Sequence, residues 1–227
     1  MTAIILQARV DSTRLPGKAL LPLDGKPFVL RVMEALNNVP ADLRILACPE
    51  DSFSSFAPLA EETGFRIHSG PKEDVLERYC QVIRRFDVKR VIRATADNPF
   101  VFTDAAAAIN AEAAALNADY SGYGCLPVGA GVESVLSDAL LGIDEKASPY
   151  DREHVCPYLY THPELFRLHR PLAPMRWQAP DIRLTVDTQE DYERAVELYS
   201  ALKDNPYRYH GNVIIAAYRA LFNSPQS

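Results

Sequence analysis

Six residues in one short segment could grip a polyanion. Arg9, Ser12, Thr13, Arg14, Gly17 and Lys18 fall within QARVDSTRLPGK, which offers three cations, two hydroxyls and a glycine suited to a tight turn. Arginine forks onto phosphate oxygens in bidentate fashion, and lysine supplies a mobile point charge, so the segment could screen and hydrogen-bond a polyphosphate. Its bland alternative is a solvated surface loop. It is neither G-x-G-x-x-G nor G-x-x-x-x-G-K-[ST], which disfavours dinucleotide dehydrogenases and P-loop kinases. Two carboxylates could complete such a site: Asp97 in ATADNPF and Asp187 in RLTVDTQED each follow a short apolar run. Hard oxygen ligands of this kind suit Mg²⁺, which keeps several waters and bridges phosphate oxygens. Each also has a structural reading. Asp97 could cap the turn that follows it, and Asp187 could be a helix N-cap, with Thr188 or Glu190 as near alternatives.

These residues need a scaffold that brings them to one edge. Residues 2–8, TAIILQA, form an apolar run of the kind a buried parallel strand has. A DGKP turn and a helix over 28–37 follow. The pattern then repeats with strands near 43–47, 65–68 and 88–94, and helices near 53–63 and 74–86. Such alternation implies βαβ units, a mainly parallel mixed sheet and a Rossmann-like three-layer α/β fold. Beyond Asp97 the spacing predicts a helix over 103–117 capped by Thr103 or Asp104, strands over 119–122 and 131–136, a helix over 151–161, and strands over 165–169 and 182–186. A helix over 189–203 opened by Thr188, a last helix over 213–222 and a loose tail at 223–227 complete the reading. In parallel sheets ligands bind beyond the carboxyl ends of the strands, where the cationic loop, Asp97 and Asp187 would all lie.

Composition narrows the function classes. The 227 residues are 48% hydrophobic and 24% charged, an ordinary globular balance, and no internal repeat or linker divides them, so one domain over 1–227 is expected. A net charge of −6 argues against coating polymeric nucleic acid, which takes many cations acting together. Residues 1–18 nonetheless carry a local +2. No apolar run reaches bilayer length and no basic segment precedes the first strand, so a soluble cytoplasmic protein without a membrane span is expected. The four cysteines are widely spaced, with no metal-type pairing, and read as reduced thiols. Glycine is scarce, at 10 residues, and no glycine-rich nucleotide loop is found.

Five strings together carry a resemblance: QARVDSTRLPGK, SGPKEDVLERY at 69–79, TADNPF at 95–100, DREHVCPYLY at 151–160 and RLTVDTQEDYE at 183–193. In this order the chain resembles the cytidylyltransferase family of spore-coat polysaccharide biosynthesis proteins, related to the acylneuraminate and Kdo cytidylyltransferases. The resemblance implies a nucleotidyltransferase fold, CTP and a small sugar-type acceptor as partners, Mg²⁺ as cofactor and a homodimer. It implies that Arg9, Ser12, Thr13, Arg14 and Lys18 wrap the triphosphate. Ser69, Gly70, Asp74 and Arg78 then fall near base and ribose. Asp97 and Asp187 match the metal-binding carboxylates, and Arg14 and Lys18 join them as catalytic residues. Glu133, His154 and Arg183 fall where acceptor contacts are expected, within a stretch of about 120–180 that could also serve dimerisation.

Two departures from the family pattern stand out. Asp11 occupies a position where relatives often have glycine, and it could pair with Arg9 or Arg14 or point outward. The segment PVGAGVESV lacks an aspartate commonly found before the Val-Glu pair. The implied reaction transfers CMP from CTP to a sugar, sugar acid or sugar-like phosphate and releases pyrophosphate. Two other classes remain open: a metal-dependent glycosyltransferase using a nucleotide-sugar donor, and a non-catalytic nucleotide-binding module.

Overall fold

A computed structural model of the protein describes residues 1–222. Its elements run β1 (Thr2–Gln7), β2 (Pro22–Leu23), β3 (Lys26–Pro27), α1 (Phe28–Leu36), β4 (Leu43–Pro49), α2 (Phe53–Thr63), β5 (Arg66–Gly70), α3 (Val75–Phe86) and β6 (Arg90–Thr95). They continue as α4 (Thr103–Ala115), β7 (Tyr120–Ser121), β8 (Glu133–Leu136), α5 (Ser137–Ile143), α6 (Pro149–His154), α7 (Pro157–Thr161), β9 (Leu168–His169), α8 (Gln189–Leu202) and α9 (Gly211–Phe222). The central sheet has seven strands in the order β5-β4-β1-β6-β8-β7-β9. Pairing is parallel from β5 through β6; β8 pairs antiparallel with both neighbours, and β9 returns parallel to β7.

Burial on both faces explains why β1 reads as a continuous apolar run. Ile4 and Leu6 enter one core with α1, α2, α4, α8 and α9, while Ala3 and Ile5 enter a second core with α3, α5 and α7. The three layers are therefore helix, sheet, helix. Register places Gln7 beside both Ala47 and Thr95, and Pro49 beside Gly70. The segments that follow β1, β5 and β6 thus leave the sheet along one edge, where the cationic loop and Asp97 lie.

Several expected elements differ, each for a local reason. The stretch 151–161 is two helices, because Pro157 has no N–H to donate and Val155 turns back at φ 72°. Residues 182–186 are extended without being a strand. Ile182, Leu184 and Val186 alternate inward, yet their backbone partners are Val128 and the Asp97 carbonyl, beyond the sheet proper. Neither Thr103 nor Asp104 caps α4. Phe102 holds the N-cap position, the Thr103 hydroxyl donates to the Tyr209 carbonyl, and Asp104 accepts from Trp177 Nε1 and Gly211 N–H. The expected loose tail at 223–227 lies outside the described residues. All four cysteines are free thiols. No helix among the described residues is long and apolar enough to cross a membrane.

Candidate active site

A cleft of about 410 Å³ opens past the carboxyl ends of β1 and β6. Its first wall is the loop after β1. Buried Leu15 anchors that loop, and Gly17, at φ 68°, reverses the chain into a single helical turn over Lys18–Leu20. A side chain at that φ would be strained, so glycine permits the reversal. The turn delivers Lys18 Nζ to the Val186 carbonyl at 2.6 Å and to Asp187 Oδ1 at 3.3 Å.

Asp187 is surrounded by cations. Arg14 lies 2.9 Å away and Arg183 2.6 Å away, and the carboxylate side chain is only 13% exposed. It does not cap α8: Thr188 does so, in a reciprocal capping box with Asp191. Asp97 presents a contrast. Its Oδ1 accepts the Thr95 hydroxyl at 2.5 Å, and it has no cationic partner among the described residues. The two segments are tied together by Val186 N–H donating to the Asp97 carbonyl at 2.8 Å.

The far wall of the cleft is α3. Arg78 is 3% exposed, and its Nε and Nη1 are buried without hydrogen-bond partners. Burial pulls its guanidinium below the ordinary arginine range. A buried cation with idle donors is costly unless a ligand supplies acceptors. The same burial pushes the nearby Cys48 thiol up to about 11.

A second cavity, of about 590 Å³, adjoins the first, and Arg93 and Thr95 line both. Within it Arg93 Nη1 meets Glu133 Oε2 at 2.5 Å, while the other Glu133 oxygen accepts the Tyr120 hydroxyl at 2.7 Å. Burial alone would depress the Arg93 guanidinium, but the Glu133 carboxylate more than offsets it and raises it. The Tyr120 phenol is pushed up by burial and by the same carboxylate. Tyr123, Cys125 and Arg170 line the rest, with Arg170 over the Tyr160 ring at 5.1 Å. Gly129, at φ 93°, closes the floor; a Cβ there would come within 2.4 Å of Thr185 Cγ2. Only glycine lets the 182–187 segment press against this loop.

Among the residues singled out from sequence, Arg9, Ser12, Thr13, Arg14, Lys18, Arg78, Asp97 and Asp187 converge on the first cleft. Ser69, Gly70 and Asp74 do not line it. Gly70 ends β5, where a Cβ would lie 3.0 Å from Arg78 Cγ, and Asp74 caps α3 by accepting from Glu77 N–H and pairs with Arg152. Glu133 lines the second cavity. Of the other expected acceptor contacts, His154 lines the first cleft, beside Tyr150, and Arg183 is spent on Asp187. Asp11 pairs with neither Arg9 nor Arg14 but with Lys72, at 2.6 Å, which also holds Asp51. Arg93, Thr95, Tyr120, Tyr123 and Arg170 escaped the sequence reading. Arg93 had a signal: a charged residue on the alternation of the central strand VIRAT, where both faces are covered.

The sheet order, the cationic loop and the paired aspartates define a nucleotidyltransferase-type α/β protein. Comparison with known proteins is specific. The cytidylyltransferase family model matches residues 3–216, and the chain belongs to that family. It is 34% identical over 210 residues to the spore coat polysaccharide biosynthesis protein SpsF of Bacillus subtilis, covering 89% of this chain and 88% of that protein. A cytidylyltransferase from Leptospira borgpetersenii superposes with a TM-score of 0.88 at 23% identity, over 97% of this chain and 94% of that one. A CMP:2-keto-3-deoxy-manno-octonic acid synthetase complexed with CTP gives 0.66 at 15% identity, over 88% and 98% of the two chains. The protein is therefore an enzyme, a CTP-using nucleotidyltransferase.

Proposed function

We propose that the enzyme transfers CMP from CTP to a sugar-type acceptor bound in the second cavity, releasing pyrophosphate, as a step in making a surface polysaccharide or glycan. The observation that carries this reading is the junction of the two cavities at Arg93 and Thr95, one lined by six cations against four carboxylates and the other by Arg93, Arg170 and Glu133 among tyrosines and small residues. SpsF, similar along most of its length, is named for spore-coat polysaccharide synthesis, which supports the pathway assignment.

The chain's own residues account for much of the chemistry. The acceptor oxygen attacks the α-phosphorus, the bond from that phosphorus to the bridging oxygen breaks, and the electron pair leaves with pyrophosphate. Catalysis of such a step is positioning plus charge stabilisation. Arg9, Ser12, Thr13, Arg14 and Lys18 bind the β- and γ-phosphates, and Arg14 and Lys18 hold the charge that develops on the leaving group. In drawing toward phosphate these two withdraw from Asp187 Oδ1, which is then free for a cation while Arg183 keeps Oδ2. Arg78 faces the base: its idle donors suit the O2 and N3 acceptors of cytosine, whereas uracil offers N3–H and would leave a donor facing a donor. Gly70 leaves room for the Arg78 stem, and Asp74 fixes the start of α3 beneath it.

The donor set fits Mg²⁺. Asp97 keeps a carboxylate oxygen without a cationic partner, Asp187 is tied to it through the backbone, and hard oxygens from two carboxylates are what that ion takes beside phosphate. Bound there, Mg²⁺ would neutralise charge on the α-phosphate. Glu133 orients the acceptor, His154 reaches it from the wall of the first cleft, and Arg183, paired with Asp187 Oδ2, turns its remaining donors toward it. The described residues act as one unit, with 120–180 forming the acceptor side. Exposed Leu172 and Met175, at 69% and 88%, favour a homodimer through that stretch, which light scattering would detect.

The test is to incubate the protein with Mg²⁺, each of the four nucleoside triphosphates and a panel of sugar acids and sugar 1-phosphates, and to measure pyrophosphate. Release that requires both CTP and an acceptor is expected. Transfer from a preformed nucleotide-sugar, with no pyrophosphate from CTP, would overturn the reading.

A further inference from the structure

We infer that Arg93 is a catalytic residue of the transfer, placed to touch the α-phosphoryl group on one side and the incoming acceptor on the other. The inference rests on the division of the two cavities proposed above. Nucleotide and acceptor occupy different cavities, so the reacting atoms meet where these join, and Arg93 and Thr95 line both. Thr95 gives its hydroxyl hydrogen to Asp97. Among the described residues Arg93 is thus the one cation that lines both cavities, with its side chain 15% exposed.

The guanidinium also has capacity to spare. It carries five N–H donors. Glu133 Oε2 takes Nη1, the remaining Glu133 oxygen is already engaged by Tyr120, and Arg93 Nε is buried with no partner. A purely structural role explains this poorly. Buried ion pairs contribute little over apolar residues of similar volume, and a central strand has no intrinsic need for one. An arginine held rigid by a single carboxylate, with idle donors at the meeting point, is preorganised for the equatorial oxygens of an α-phosphoryl group as their charge redistributes. Pyrophosphate departs toward Arg14 and Lys18 on the first-cleft side, while the acceptor oxygen enters from the second, so Arg93 lies beside the line of displacement.

Removing Arg93 alone would leave Glu133 buried and unpaired, so the decisive variant is R93Q/E133Q, with E133Q as its control. The acceptors are N-acetylneuraminate, 3-deoxy-manno-octulosonate and N-acetylglucosamine 1-phosphate, each with CTP and Mg²⁺. With whichever acceptor the wild type uses, turnover of R93Q/E133Q is expected to fall about a hundredfold or more. E133Q should lose less than about a tenth of that factor. The Kd for CTP, by calorimetry, should stay within about threefold of wild type in both, and melting temperatures should remain close. Near-normal turnover in R93Q/E133Q would reduce Arg93 to a structural pair. An equal loss in E133Q would shift the role to Glu133, and a parallel loss of CTP binding would assign Arg93 to the nucleotide; either overturns the inference. A wild type releasing no pyrophosphate with any acceptor would instead overturn the division of cavities, and this assignment with it.

Discussion

The nucleotide cleft and the cavity beside it are built on different electrostatic plans. Six cations line the first against four carboxylates, and Arg9 and Arg14 project into solvent while Arg78 waits, buried and unpaired. In the second, one pair of charges is spent internally, with Arg93 and Tyr120 converging on Glu133, and one cation is left over: among the described residues Arg170 has an aromatic ring for a partner and no carboxylate. Excess positive charge in a protein of net charge −6 suits a polyanion. A tyrosine-lined wall with a single surplus cation suits a polyhydroxylated ring bearing at most one negative charge. The contrast teaches that the reaction's two substrates are told apart by charge surplus before any detailed contact is made.

The largest effect is expected at the carboxylates of the nucleotide cleft. D97A should lower turnover by roughly a thousandfold or more while the protein still folds, since Asp97 makes no ion pair in the resting structure. Steady-state pyrophosphate release checks it. Next in size, R78M should weaken CTP binding by about a hundredfold, because a charge-assisted contact to the base is lost. The unliganded variant should melt at the same temperature or higher, since an unpaired buried charge is removed. Calorimetry and thermal melting together read both halves of that trade.

Smaller effects belong to the second cavity. G129A should cost about 1–3 kcal/mol of stability through its φ of 93° and raise KM for the acceptor, leaving Kd for CTP unchanged. The smallest is a pH effect. Asp119 accepts from Arg167 at the start of β7; burial opposes its charge, but the Arg167 hydrogen bonds prevail and hold its carboxyl below the ordinary range. A depressed folded pKa stabilises above the unfolded value and is lost as pH falls through the folded one. D119N should therefore cost about 1 kcal/mol at neutral pH, and its difference from wild type should shrink as pH falls through the depressed folded pKa. Denaturant melts at pH 7 and pH 3 would show it.

The nucleotide half was the more legible in sequence because its chemistry is local. The loop from Arg9 to Lys18 is contiguous, and β1, β4 and α3 announce themselves by period and burial. Asp97 and Asp187 were legible as residues that end apolar runs, and of the caps the sequence offered for α8 the fold selects Thr188 over Asp187. The acceptor half was harder to read because it is assembled from β6, β7, β8 and the chain before α8, with β7 and β9 only two residues each. No periodicity marks strands that short. Arg170 and Tyr123 carry no local pattern at all; their meaning comes from long-range pairing. His154 shows the limit of a motif: its string placed it among acceptor contacts, and only the fold sets it on the wall of the first cleft.

Hydrogen–deuterium exchange on the wild-type protein, with and without CTP and Mg²⁺, tests the division between the two cavities most directly. Nucleotide is expected to slow exchange over residues 9–18 and 70–79 and to leave 120–133 unchanged until acceptor is added. Protection of 120–133 by CTP alone, with the 9–18 loop exchanging as before, would contradict it.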